Sequence, residues 1–195
     1  MLRRILVNPL LAALAPRMRY GVRSGDGSWR PHSRISSDSV VESLERLQLG
    51  DHVFIGHFNF IDASGGLAIG EGVQITNYVS VLTHSTHRAL RLERERYWGN
   101  PAPAGVERAA TSIGDWSFIG PHCTIAPGAR IGQGVLVRAY SYVRGEVPDF
   151  AIVQGQPASL VGDVRDDDRA WLKGQPAALR ERYEAWLVGA ARKSS

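Results

Sequence analysis

Aliphatic residues recur every six positions along most of this chain. One run is Leu49, Ile55, Ile61, then Ile69, Ile75, Val81; a second is Ile113, Ile119, Ile125, Ile131, Val137, Val143. A glycine often follows the aliphatic, as at Gly50, Gly56, Gly70, Gly114, Gly120 and Gly132. Four residues after the aliphatic stands a small side chain: Val53, Val73, Val79, Ser117, Cys123, Ala129, Val135, Ser141. Neither a helix nor a simple alternating strand yields a period of six. The pattern predicts one short strand and one tight turn per hexad. The aliphatic points into the core, glycine relieves the corner, and the small residue points inward where room is short. Successive coils then stack like residue on like residue, so the predicted fold class is an all-β solenoid. Asn59 falls in the same inward slot, which predicts a buried, hydrogen-bonded asparagine. Cys123 reads as a small core residue.

Weaker hexads begin at Ile35 and Val41. Two-residue insertions separate Val41 from Leu49 and Ile61 from Ile69, and these predict bulges at corners. The expected organisation is an N-terminal helical or irregular extension over 1–34, a solenoid over 35–165 with a loop inserted at 84–110, and a helical tail over 166–195. In the tail, "DDDRAWLKGQPAALRERYEAWLVGAARK" places acidic residues at a helix start, a break near Gly174–Pro176, and a second amphipathic helix. The opening "MLRRILVNPLLAALAPRMRY" has two readings: a short amphipathic helix packed on the body, or a peripheral contact with a membrane surface. No stretch is long enough to span a bilayer.

Charge narrows the ligand class. The net charge is +4, and Lys173 and Lys193 are the only lysines, so the positive charge is nearly all arginine. The guanidinium fork suits phosphate and carboxylate, which favours an anionic small ligand; the alternative is a solvated arginine-rich surface. No dense basic run with interleaved aromatics appears, so nucleic acid is not expected as a partner. Cys123 is the single cysteine, which excludes an internal disulfide and a cysteine metal cluster. A reducing compartment fits, and the expected location is the cytoplasm, with the inner face of the membrane the alternative if the N-terminal segment makes the membrane contact.

The stretch "TSIGDWSFIGPHCTIAPGARIGQGVLVRAYSYVRGEVPDFAIVQGQPASLV" (Thr111–Val161) resembles the closing coils of the hexapeptide-repeat acyltransferases. The likeness runs over roughly Ile35–Arg165 and is nearest to the galactoside, maltose and surface-polysaccharide O-acetyltransferases. It implies a left-handed parallel β-helix, against the usual right-handed crossover. It also implies acetyl-CoA as co-substrate with no metal, a small-molecule or oligosaccharide acceptor, and a homotrimer with active sites between subunits. The activity it implies is O-acetylation of a carbohydrate hydroxyl in surface polysaccharide or lipopolysaccharide synthesis. N-acetylation of an amino sugar or nucleotide sugar is the alternative. A zinc enzyme like the γ-type carbonic anhydrases, which share the fold, is a remote one.

Between Val81 and Ile113 the hexads stop, and a long loop in a solenoid is usually functional. The loop opens "LTHSTHRALR". Relatives carry a catalytic histidine here that takes the proton from the acceptor hydroxyl. A sugar hydroxyl is a poor nucleophile at neutral pH, and a positioned imidazole is a suitable base. His87 is the first candidate and His84 the second. Asp62 or Ser64, about one coil earlier, is placed to stack near His84. The candidate acceptor contacts are Asn59, Asp62, Arg88, Arg91, Tyr97 and Trp98. Arginines suit an anionic acceptor group and aromatic faces suit a sugar ring; the intervening Glu93 and Glu95 offer the rival reading of an arginine–glutamate network. Carried over by motif, the residues along acetyl-CoA are Gly120, Pro121, Ala139, Gly155 and Pro157, with Arg144 a candidate for its phosphates. Two positions depart from the family: Pro121 replaces a residue whose N–H can steady the oxyanion, and Ser159 replaces a basic residue.

Overall fold

The computed structural model describes residues 15–193 of the chain. Among these described residues twenty strands and three α-helices follow one another. Most strands are two or three residues long and pair in parallel, one coil on the next. Three sheets result. Sheet A runs β1 (Met18–Arg23), β2 (Trp29–Ser36), β5 (Phe54–Ile55), β8 (Gln74–Ile75), β13 (Phe118–Ile119), β16 (Leu136–Val137), β19 (Ala151–Gly155), β20 (Ala158–Asp163). Sheet B stacks β3 (Val40–Glu42), β6 (Phe60–Asp62), β9 (Ser80–Val81), β14 (Thr124–Ile125) and β17 (Tyr142–Val143). Sheet C stacks β4 (Leu47–Leu49), β7 (Leu67–Ile69), β12 (Thr111–Ile113), β15 (Arg130–Ile131) and β18 (Glu146–Val147). The chain visits A, B, C in turn, so the body is a three-faced parallel β-helix.

The registers carry the six-residue pattern into the core. Ile55 pairs with Ile75, Ile75 with Ile119, and Ile119 with Val137. Ile61 pairs with Val81, Val81 with Ile125, and Ile125 with Val143. These side chains are all buried, as are the small residues four positions on. Where that inward slot is polar, the next coil satisfies it. Ser117 Oγ donates to Gly132 O (2.8 Å) and accepts from Val135 N (3.0 Å). Asn59 Oδ1 accepts from Val79 N (2.7 Å) and Nδ2 donates to Thr76 O (2.6 Å). Both ends of Asn59 are thus committed to main chain inside the core, and it has no face to offer an acceptor. The expectation of an acceptor contact at Asn59 is corrected on that ground.

Corners are tight enough to demand glycine. A Cβ on Gly114 would lie 2.5 Å from the carbonyl carbon of Gly132 and 2.6 Å from Gln133 N, both main-chain atoms of the next coil. Neither can rotate away, so Gly114→Ala must push two coils apart. The expected cost is about 1–3 kcal/mol, read as a fall of roughly 2–10 °C in Tm by calorimetry.

The N-terminal segment differs from expectation. Residues 18–36 form an antiparallel hairpin, β1 on β2, instead of a helical or irregular extension. Strand β2 then joins the solenoid in parallel, Arg34 against Phe54 and Ile35 against Ile55. The hairpin extends sheet A with mostly polar, half-exposed strands, so no apolar period marked it. The packed-helix and membrane-contact readings rest on residues 1–14, which lie outside the described residues. At the other end β19 and β20 form a second antiparallel hairpin. Helices α2 (Val164–Leu172) and α3 (Ala177–Lys193) follow. Asp163 caps α2, accepting from Arg165 N at 2.8 Å. Among the described residues no helix is long and apolar enough to cross a membrane.

Candidate functional site

The corner from sheet B to sheet C is the irregular one. The two-residue insertions fall there, and in the third coil the whole loop 82–110 leaves from it. Its root is pinned by a two-stranded ladder, β10 (His84–Ser85) against β11 (Glu107–Arg108), with His84 opposite Arg108. Helix α1 (His87–Glu93) follows, with Ala89 its buried residue.

Asp62 closes strand β6 one coil below and is fully buried. Its Oδ1 accepts from Ser64 N (2.8 Å), a local turn typical of aspartate. Its Oδ2 gathers three donors from the coil above: Thr83 N (2.9 Å), Thr83 Oγ1 (2.8 Å) and His84 Nδ1 (2.7 Å). Burial pushes the Asp62 carboxyl upward, but the hydrogen bonds from Ser64 and Thr83 outweigh it and hold the group well below the ordinary carboxylate range. It is therefore an ionised carboxylate under the ring of His84. That ring has its Nδ1–H turned to Asp62, with Ser64 Oγ also 2.9 Å away. In the neutral ring this leaves the lone pair on Nε2. The His84 side chain is 31% exposed, so the held ring stays open to solvent in part. His87 sits differently. It is exposed at the first turn of α1, and its Nδ1 meets only the hydroxyl of Ser85, two residues back, at 2.7 Å.

Asp62, an acceptor contact by sequence, is buried and hydrogen-bonded to His84 Nδ1. Arg88, Arg91 and Trp98 are exposed on the loop, and Tyr97 packs edge-on against Trp98 with ring centres 5.5 Å apart. Among the described residues no ion pair joins the loop arginines to Glu93 or Glu95. Glu93 instead accepts from Ala104 N (2.9 Å) and ties the loop to itself.

The remaining candidates line the other edge of sheet B. Gly120, Pro121 and His122 precede β14, and in the next coil Arg138 and Ala139 stack above Gly120 and Pro121. A Cβ on Gly120 would meet Ala139 N at 2.7 Å. Pro121 O accepts from Tyr140 N (3.0 Å), and Gly120 N is spent on Val137 O (2.8 Å). Between bonded Arg138 N and Tyr140 N, the Ala139 N–H has no protein partner among the described residues. Higher up, Arg144 and Pro157 share a cleft of about 410 Å³ with His122 and Tyr142. Gly155 lies at the turn of the β19–β20 hairpin, its N–H on Ser141 Oγ (3.2 Å). Sequence reasoning missed the aromatic column on this edge: Phe58, Tyr78, His122 and Tyr140 stack ring on ring through four coils, 4.7–5.3 Å between centres. Their shared place in the repeat, two residues before the inward slot's strand, is the signal that marks them.

Comparison with known proteins fits this geometry. The family model "Bacterial transferase hexapeptide (six repeats)" matches residues 110–145. A putative lipopolysaccharide biosynthesis O-acetyl transferase, WbbJ, of Escherichia coli K12 is 28% identical over 69% of this chain and 66% of its own length. The galactoside O-acetyltransferase of the same organism is 30% identical over 69% of this chain and 66% of its own. The chain thus spans 66% of the length of each of these curated relatives. Among solved structures, the hexapeptide-repeat-containing acetyltransferase VCA0836 of Vibrio cholerae superposes with a TM-score of 0.57 at 25% identity, covering 67% of this chain and 69% of that one. That protein has also been solved with acetyl coenzyme A. Repeat, registers and relatives converge, and the chain belongs to the hexapeptide-repeat acyltransferase family, folded as its left-handed parallel β-helix.

Proposed function

We propose that the protein is an acetyl-CoA-dependent O-acetyltransferase acting on a carbohydrate hydroxyl, with His84 as general base. The observation that carries this reading is the His84–Asp62 pair at the loop root. A buried, ionised carboxylate fixes the ring and leaves Nε2 to accept the hydroxyl proton. The hydroxyl oxygen then attacks the thioester carbonyl, the carbon–sulfur bond breaks, and the departing thiolate takes the proton back from the imidazolium, leaving as CoA thiol and restoring the neutral base. Asp62 stabilises the imidazolium while it exists. No covalent enzyme intermediate is needed, and Cys123, buried in the core with its thiol pushed upward by burial, is unsuited to form one. Loop residues Arg88, Arg91, Tyr97 and Trp98 are the acceptor side, suited to a sugar bearing an anionic group.

The cofactor edge and the base lie on opposite edges of sheet B. Gly120 and Ala139 precede its strands and His84 follows them. Six residues separate the corners, about 15–20 Å of extended chain. A site joining the two edges is therefore built between copies, the base from one chain and the acetyl-CoA groove from its neighbour. Exposed Phe58, Phe60, Tyr78, Tyr140 and Tyr142 give sheet B and its corner the apolar surface such a contact needs. A homotrimer closes this arrangement with one kind of interface.

Two experiments test the reading. The first is CoA release from acetyl-CoA against a panel of sugars, nucleotide sugars and amino sugars. Acceptor-dependent release with hydroxyl but not amine acceptors supports it; absence of release and of acetyl-CoA binding removes it. The second mixes two inactive variants, His84→Gln and Ala139→Glu. If sites are shared between chains, a 1:1 mixture reassembled from monomers regains about a quarter of wild-type activity, because a site then needs one intact contribution from each chain type. A mixture as inactive as its parts would place both halves on one chain.

A further inference from the structure

Two imidazoles and two carboxylates meet at the corner from sheet C to sheet A, on a different edge of the solenoid from His84. They come from three levels: His32 from β2, Asp51 and His52 from the next corner, Glu71 from the one after. The rings of His32 and His52 are stacked, 4.6 Å between centres and 3° from parallel. Asp51 Oδ2 lies 2.8 Å from His32 Nδ1, and Glu71 Oε1 lies 3.5 Å from His52 Nδ1. The other oxygen of Asp51 accepts the main-chain N–H of both His32 and His52, each at 2.9 Å. Capping of this kind belongs to the repeat, since Asp115 takes Glu71 N (2.9 Å) and Asp149 takes Gln133 N (3.0 Å) in the same way. At Asp51 the second oxygen is turned to an imidazole, and a second histidine stands beside it.

We propose that His32, Asp51 and His52, backed by Glu71, form a binding site for a divalent transition-metal ion of the Zn²⁺ type. One donor atom from each of the three lies within 4.8 Å of the others. Tetrahedral zinc, with bonds of about 2.0–2.2 Å, holds its ligands about 3.4 Å apart, so the donors must close by roughly 1 Å. Asp51 is fixed by its caps, whereas both rings are exposed and turn at little cost. Imidazole with carboxylate suits zinc, nickel or copper; calcium and magnesium call for more oxygens than converge here. Carboxylates against ring nitrogens are also the outer support that metal-binding histidines use. The bound ion would staple the N-terminal hairpin to the first coil, a structural role independent of the transfer reaction.

The test uses tag-free full-length protein stripped with chelator and titrated with ZnCl₂ by calorimetry, alongside thermal unfolding. The wild type is expected to bind one Zn²⁺ per chain, with Tm rising by about 5 °C at saturating metal. The double variant His32→Gln/His52→Gln should bind at least ten-fold more weakly and lose the Tm rise, while His84→Gln binds like wild type. Undiminished binding by the double variant overturns the proposal, as does binding lost in His84→Gln alone, which would put the ion at the Asp62 corner. Absence of binding to wild type at about 0.1 mM Zn²⁺ overturns it equally.

Discussion

His84→Gln is expected to lower kcat by about 10²–10⁴, the usual worth of a positioned general base, with the Kd for acetyl-CoA unchanged. Glutamine keeps an N–H to offer Asp62 but supplies no nitrogen lone pair to the acceptor hydroxyl. Folding should therefore survive and chemistry should not. His87→Gln, three residues on, is expected to cost less than about five-fold, because that ring is exposed and held only by a neighbouring hydroxyl. Steady-state kinetics with saturating acetyl-CoA, beside calorimetric binding of acetyl-CoA, separate the two variants. The reverse order, a large loss at position 87 and a small one at 84, would transfer the role of base to the loop helix and leave the buried dyad a structural feature.

The choice between these two histidines was only half legible in the sequence. Both stand at the root of the interruption, and local motif favours His87. A partner 22 residues upstream, Asp62, favours His84. The coil containing Ile61 and Ile69 is twenty residues long, eighteen for three hexads and two for the corner insertion, so residues 62–64 lie under 82–84. That arithmetic brings Asp62 or Ser64 close to His84. It does not say that Thr83 and Ser64 hold the carboxylate ionised and aimed, which depends on main-chain N–H groups whose direction a corner bulge sets. The core was far easier to read. Each hexad repeats the same burial problem, and Ile55, Ile75 and Ile119 solve it identically. Asn59 shows the limit of reading by chemistry alone: the period placed it inward, and its polar group made it an acceptor candidate, but the next coil uses both ends. The hairpin of residues 18–36 escaped because it extends an edge instead of filling a core. Its partner is sheet A, and sheet pairing leaves no mark in the pattern of a polar strand.

Asp62→Asn is expected to damage stability and turnover together, and pH tells the two apart. Every lone pair of the carboxylate in use faces a donor: Ser64 N on one oxygen, Thr83 N, Thr83 Oγ1 and His84 Nδ1 on the other. An amide in its place sets an NH₂ against N–H groups whichever way it turns. The expected loss is about 2–4 kcal/mol at neutral pH, read from urea unfolding. If the NH₂ faces His84, the ring must accept there, Nε2 takes the proton, and the base is gone; kcat should fall by about 10²–10⁴ with the KM for acetyl-CoA within about three-fold. The sign of the pH effect follows from the depressed carboxyl. Unfolded, Asp62 titrates near the ordinary value of 3.8, and folded it titrates lower. Its contribution is therefore complete above about pH 5 and is lost as pH falls through the folded value. Wild-type stability should drop below pH 4 more steeply than that of Asp62→Asn, so the gap between them narrows in acid. A gap that stays constant from pH 7 to pH 3 would mean that the carboxylate's charge contributes nothing to the fold, and a variant that unfolds easily yet turns over normally would separate Asp62 from the chemistry of His84.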